Sequence, residues 1–225
     1  MEIVLIRHGE PEWVRDGLNV DNPPLTGRGV RQAEAMAEAL RGEHFDEVYC
    51  SPLVRARQTA APLFAALGRS ETIDPWLEEI RNPIWHGTPR EKADMAYAAD
   101  RARTAEDRWK GLEGGEHVGE FVDRIHEGTT TFLKDRSITR SAQQLAVWSG
   151  AATDRRIAFV AHAGTNSVVI CHLLGLQPTP WEWERFVINH ASISRIESMN
   201  LADGITFCLT RLSDVEHLNA DERTR

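Results

Sequence analysis

Two uninterrupted apolar runs, residues 3–6 of "EIVLIR" and 157–161 of "RIAFVAH", constrain the fold more than any other feature of the chain. A strand with one wet face alternates apolar and polar residues, whereas a run without alternation must be covered on both faces. The segments between such runs have helical spacing. "LTGRGVRQAEAMAEALRG" (25–42) carries Val30, Ala33, Met36, Ala37 and Leu40 on one stripe and closes at Gly42. "PLVRARQTAAPLFAALG" (52–68) reads as a helix with a proline near its first turn and an interruption or kink near Pro62. "DEVYCS" (46–51) and "ETI" (71–73) read as strands, and 91–109 and 115–135 as helices. "AGTNSVVICHLLG" (163–175) reads as a helix stopped by Gly175, and "ASISRIES" (191–198) and "GITFCLTRL" (204–212) as closing strands. Alternating strands and helices imply an α/β fold, a mostly parallel central sheet with helices on both faces and a helical cap region. We expect one domain over 1–225, with cap or insert segments at roughly 80–115 and 137–154. The polar tail, 217–225, is expected to fray. Segment 137–154 has no reading beyond an extra turn or contact surface.

The chain has 225 residues, enough for a sizeable core, and 26 basic against 34 acidic side chains give a net charge of −8. That balance argues against a nucleic-acid partner, which needs a basic face, but leaves room for a local cluster of arginines. Cys50, Cys171 and Cys208 show no paired spacing, as expected of reduced thiols in a cytoplasmic protein. No apolar run reaches membrane-spanning length, so no membrane partner is expected. A homodimer is the default expectation for assembly.

Ligands of open α/β sheets bind beyond the carboxyl ends of the strands. Here two apolar runs end at a histidine, His8 after "VLIR" and His162 after "AFVA". Two histidines can form a metal site, a catalytic pair or two structural residues. Their neighbours favour an anion: Arg7 adjoins His8, and Arg55 lies near the start of the helix after the second strand. Arginine keeps its charge and repels a divalent cation, while two arginines and two histidines suit a tetrahedral dianion such as a phosphate monoester. Gly9 and Gly164 let backbone N–H groups approach an anion, and the helix after His162 points its positive end the same way. No metal or cofactor is called for, because this charge is supplied by the chain.

The segments "LIRHGE", "PLTGRGVRQA" (24–33), "SPLVRARQTA" (51–60), "LEEI" (77–80), "GGEHVGEFVDRI" (114–125), "VAHAG" (160–164) and "NHASISRIE" (189–197) come in an order that resembles the histidine phosphatase superfamily, with its phosphoglycerate mutase-like fold. The resemblance implies a metal-independent phosphatase acting on a small phosphorylated metabolite. His8 would be the nucleophile that carries phosphohistidine, and Arg7, Arg55 and His162 would hold the non-bridging oxygens. Glu79 would donate the proton to the leaving oxygen, with Glu78 its neighbour and competitor. Gly9 and Ala163 would line the phosphate site.

The chain departs from the family pattern after the first motif. Relatives carry asparagine and threonine or glutamine there, whereas this chain reads "RHGEPEW", so phosphate contacts are expected from Thr26 and Gly27 instead. His86 stands in "NPIWHG" (82–87) where a second glutamate is usual, and is a candidate for contacting substrate or tuning Glu79. Trp13, Trp85 and Trp109 fall near the expected pocket and are candidates for enclosing an organic leaving group. Trp76, Trp148, Trp181 and Trp183 read as core or interface residues. The basic insertion and E-R-H-Y-G run of the family's mutases are absent from "EEIRNPIWHG". A mutase and a non-catalytic phosphate-binding protein are therefore the alternatives to a phosphatase.

Overall fold

A computed structural model describes residues 1–141 and 145–225. The chain runs through strand β1 (Glu2–Arg7), a small hairpin of β2 (Val14–Arg15) and β3 (Leu18–Asn19), helix α1 (Gly27–Leu40), β4 (Glu47–Cys50) and α2 (Val54–Ala66). The cap follows as α3 (Arg90–Arg101) and a 3-10 turn at Asp107–Lys110. The chain then returns as α4 (Val118–Lys134), β5 (Thr139–Arg140), β6 (Trp148–Ser149), β7 (Arg156–Ala161), α5 (Ala163–Leu174), α6 (Glu182–Arg185), β8 (Ile193–Leu201) and β9 (Gly204–Asp214). No helix among the described residues is long and apolar enough to cross a membrane.

Among the described residues the strands order as β4-β7-β1-β8-β9-β6-β5. The sheet is parallel across β4, β7 and β1, and antiparallel from β8 outward. The two apolar runs are adjacent central strands, and their pleat explains the missing alternation. Ile3, Leu5, Ile157, Phe159 and Ala161 face one core with Phe121, Ile125 and Val169 of α4 and α5. Val4, Ile6, Ala158 and Val160 face the other, with Met36, Leu40 and Leu63 of α1 and α2. Burying a large aliphatic side chain contributes about 1.5–3 kcal/mol, so both faces reward an apolar residue at every position.

Several local expectations shift. Val30 is exposed, because the buried stripe of α1 runs through Gly29, Gln32, Ala33, Met36 and Leu40. Helix α2 continues through Pro62. Segment 137–154, of which 142–144 lie outside the described residues, supplies the antiparallel pair β5–β6 at the sheet edge, where Trp148 is fully buried. The tail does not fray. Leu218 is buried, Ala220–Glu222 forms a 3-10 turn, and Gln32 of α1 donates to Glu222 O and Thr224 Oγ1. Its polar composition hid partners that are themselves buried and polar.

Candidate active site

Register brings the two histidines together. Arg7 pairs with Ala161 across β1 and β7, and Cys50 of β4 pairs with Val160, so His8, His162 and Ser51 each lie one residue past a strand end. The His8 and His162 ring centroids are 5.1 Å apart. His8 Nδ1 lies 2.7 Å from the carbonyl oxygen of Gly9. A carbonyl only accepts, so that nitrogen carries the proton and Nε2 keeps its lone pair. Burial, then the charges of Arg55, His162 and Arg7, hold the His8 pKa well below the ordinary value, so the ring is neutral at physiological pH. Burial and the same arginines also keep His162 neutral. Its Nε2 contacts Ser51 Oγ at 2.7 Å.

Two arginines face this pair. Arg7 donates through Nη1 to the carbonyl of Ile188 at 2.5 Å, and Nη2 lies 2.9 Å from His190 Nε2. Arg55, at 4% exposure, stacks under the Trp13 ring with its guanidinium carbon 4.8 Å from the centroid. Burial lowers both arginines to about 10, which leaves them charged at neutral pH. Arg7 Nε, Arg55 Nε and Nη1, and His162 Nδ1 are buried without a hydrogen-bond partner among the described residues. Buried donors are normally satisfied, so the two arginines, which line one cavity, mark a place for a polar ligand.

Glu79 closes the other side. Its Oε2 accepts from Gly164 N–H at 2.9 Å, at the positive end of α5, and its Oε1 accepts from Ile80 N–H at 3.0 Å. Burial nevertheless raises its pKa, because it outweighs those two bonds and the pull of Arg55 and Arg7. Gly164 is required by this packing: a Cβ there would lie 3.1 Å from Glu79 Cδ. Glu78 lines only the larger of the two cavities described below, and its carboxylate pairs with Arg81 at 2.7 Å. Arg124 holds the loop from behind, donating to the carbonyls of Glu78 (3.0 Å) and Glu79 (3.3 Å) while paired with Glu116.

Arg7, His8, Trp13, Arg55, Glu79, Ala163 and Gly164 line one cavity of about 250 Å³. It shares Trp13, Arg55, Glu79 and Tyr97 with a larger one of about 950 Å³, which Trp85 also lines. Other sequence candidates fall elsewhere. Gly9 spends its N–H on Thr59 Oγ1 at 2.9 Å, and is a glycine because a Cβ would meet Gly29 O at 2.5 Å. Thr26 caps α1 by accepting from Gly29 N–H at 3.0 Å and donates to Glu10 at 2.9 Å, so neither it nor Gly27 lines a cavity. His86 is exposed on the turn after Trp85 and lines neither cavity. Trp109 and Trp183 both pack against the core, and Trp183 also lines the smaller cavity.

Sequence reasoning missed Ser51, Thr59, Tyr97, Arg124 and His190. Ser51, Thr59, Arg124 and His190 sit inside the quoted motifs, and the i, i+4 spacing of Arg55 and Thr59 is a readable signal. Thr59 donates to the Arg55 carbonyl at 2.7 Å and ties it to Gly9.

The family model for the histidine phosphatase superfamily (branch 1) matches residues 3–201. Phosphoserine phosphatase 1 of Hydrogenobacter thermophilus is 31% identical over 87% of this chain and 86% of its own length. A probable phosphoglycerate mutase, GpmB of Salmonella choleraesuis, is 26% identical over 98% of this chain and 96% of its own. Among solved structures, the alpha-ribazole phosphatase of Shigella flexneri superposes with a TM-score of 0.70 at 24% identity. It covers 95% of this chain and 96% of that one, a likeness of fold.

Proposed function

The chain belongs to the histidine phosphatase superfamily and is a phosphoric monoester hydrolase, and from that premise we propose that it transfers the phosphoryl group to His8 and then to water. The observation that carries this reading is the neutral His8, its Nδ1 held by Gly9, facing the unpartnered donors of Arg7 and Arg55. Those donors, with His162, would take the non-bridging oxygens of a small phosphorylated metabolite. Nε2 of His8 would attack phosphorus in line, forming the N–P bond as the ester P–O bond breaks. Glu79, whose pKa burial raises, would give its proton to the leaving oxygen. As carboxylate it would then take one from the water that clears phosphohistidine. The fixed cations supply charge that a metal would otherwise provide, so the reaction is proposed to need none. The leaving alcohol would lie in the larger cavity against Trp13, Trp85 and Tyr97.

The test is release of phosphate from 4-nitrophenyl phosphate with chelator present, alongside isomerisation of a phosphoglycerate. Turnover that survives chelation and falls on the order of 1,000-fold or more in His8→Ala supports the reading. Isomerisation outpacing hydrolysis would make the chain a mutase, and His8→Ala at wild-type rate would remove His8 from the chemistry.

A further inference from the structure

Segment 213–225 leaves β9 and folds back over residues 189–191, which precede β8. Ser213 Oγ accepts from Asn189 N–H (2.8 Å) and Nδ2–H (3.1 Å). His217 Nε2 donates to the carbonyl of Ala191 at 3.0 Å. Thr224 meets His190 twice: its carbonyl accepts the His190 N–H at 3.0 Å, and its Oγ1 lies 2.9 Å from Nδ1. Gln32 donates to the same Oγ1 at 2.9 Å and accepts the Glu10 N–H at 2.7 Å. Ala191 sits at φ 51°, a region costly for a residue with a Cβ, and its N–H donates to the His8 carbonyl at 3.1 Å.

The direction of this chain of bonds follows from elementary chemistry. A guanidinium only donates, so Arg7 Nη2 makes His190 Nε2 the acceptor, and the imidazole proton must sit on Nδ1. That proton is donated to Thr224. Burial and the neighbouring arginines lower His190 to about 3, which keeps the ring neutral. A carboxylate in its place would grip Arg7 harder but cancel the charge that an anion needs. A neutral imidazole orients the guanidinium and leaves its charge intact.

We propose that segment Ser213–Arg225 belongs to the anion site, with His190 as a positioning residue that aims Arg7 and Thr224 as the residue that accepts the Nδ1 proton and holds the His190 ring in place. The proposal rests on the reading above that Arg7 binds phosphate.

Full-length wild type, Thr224→Val, Thr224→Ser and His190→Asp are compared by melting temperature and by kinetics on 4-nitrophenyl phosphate with inorganic phosphate as competitor. Thr224→Val is expected to raise KM and the phosphate inhibition constant together, by about fivefold to tenfold, while Thr224→Ser stays within about twofold. His190→Asp keeps an acceptor but is expected to weaken phosphate on the order of tenfold or more. A merely structural tail would lower kcat through loss of folded enzyme and leave the inhibition constant alone. That outcome, or phosphate inhibition unchanged in Thr224→Val, overturns the proposal. Should Thr224→Val not fold, nitrogen-15 shifts of wild-type His190 decide the matter. Nδ1 protonated and Nε2 bare over about pH 5 to 8 supports the proposal, and a protonated Nε2 overturns it. Wild type that neither turns over ester nor binds phosphate sinks the functional reading and this one together. Normal wild type with unaltered Thr224→Val sinks this one alone.

Discussion

Replacing Arg55 with methionine should make the protein more stable and nearly inactive. Arg55 is 4% exposed and makes no ion pair within 4 Å among the described residues; it lies against the Trp13 face at 4.8 Å, and burial outweighs the attraction of Glu79 and Glu78. Lowering its pKa from 12.5 to about 10 corresponds to roughly 3 kcal/mol of cost for keeping it charged, at about 1.36 kcal/mol per pH unit. The lost cation–π contact returns about 0.5–1 kcal/mol to the other side. A net gain of about 2 kcal/mol follows, or roughly 4–8 °C in melting temperature for a chain of this size. Because the folded pKa is depressed, the wild-type cost is complete below about pH 10 and is relieved as pH climbs towards 12.5. The advantage of the variant should therefore be flat across neutral pH and shrink only in strong alkali. Inorganic phosphate at about 100 times its dissociation constant should stabilise wild type by about 2.7 kcal/mol and the variant hardly at all. Scanning calorimetry with and without phosphate, beside hydrolysis of 4-nitrophenyl phosphate, reads all of this. The reasoning is refuted if Arg55→Met melts at or below wild type at neutral pH, or retains full turnover.

Glu79→Gln should slow esters of poor leaving groups about 100-fold or more and 4-nitrophenyl phosphate least, and equal slowing would misassign the acid. Since burial raises the folded pKa of Glu79, wild type loses stability as pH rises from its unfolded value through the folded one; the variant should melt higher at neutral pH and level with wild type in acid. Gly164→Ala should crowd the Glu79 carboxyl and give the same leaving-group signature at about tenfold, with phosphate inhibition unchanged; an unaltered alkyl-to-aryl rate ratio counts against it. Arg124→Met takes the guanidinium from Glu116, leaving it the Arg81 N–H, and frees the carbonyls of Glu78 and Glu79, so denaturant unfolding should show a loss of about 2–4 kcal/mol, and a loss within error would make that pair ornamental.

The parts of the site that were legible in the sequence are those written contiguously at strand ends. Arg7 and His8 follow one doubly buried run and His162 another, and strands of that kind must lie centrally, where their ends converge. Arg55 and Glu79 came with motifs of similar compactness. Illegible were the groups whose partners lie far along the chain. Gly9 was read as freeing an N–H for an anion, yet that N–H belongs to Thr59, and the glycine is there for the backbone of Gly29. Thr26 is expected to replace the phosphate contacts that relatives make just after the first motif, but a helix start claims its hydroxyl. The tail looked frayed because polarity was counted without the buried Gln32 and His190 that satisfy it. Strand direction was equally hidden, since nothing in "ASISRIES" announces that it runs antiparallel beside β1.

The position of β7 between β4 and β1 has a consequence for how the molecule is made. A ribosome delivers those two neighbours first and the middle strand nearly half a chain after the second of them, an interval of roughly 5–20 s at ordinary elongation rates. Throughout that time both parallel edges of an unfinished sheet stand open, and closing them demands contacts between residues distant in sequence, the slowest kind to form. No nascent fragment can therefore act on an ester, and chaperone dependence during synthesis should concentrate in the window before residue 161 emerges.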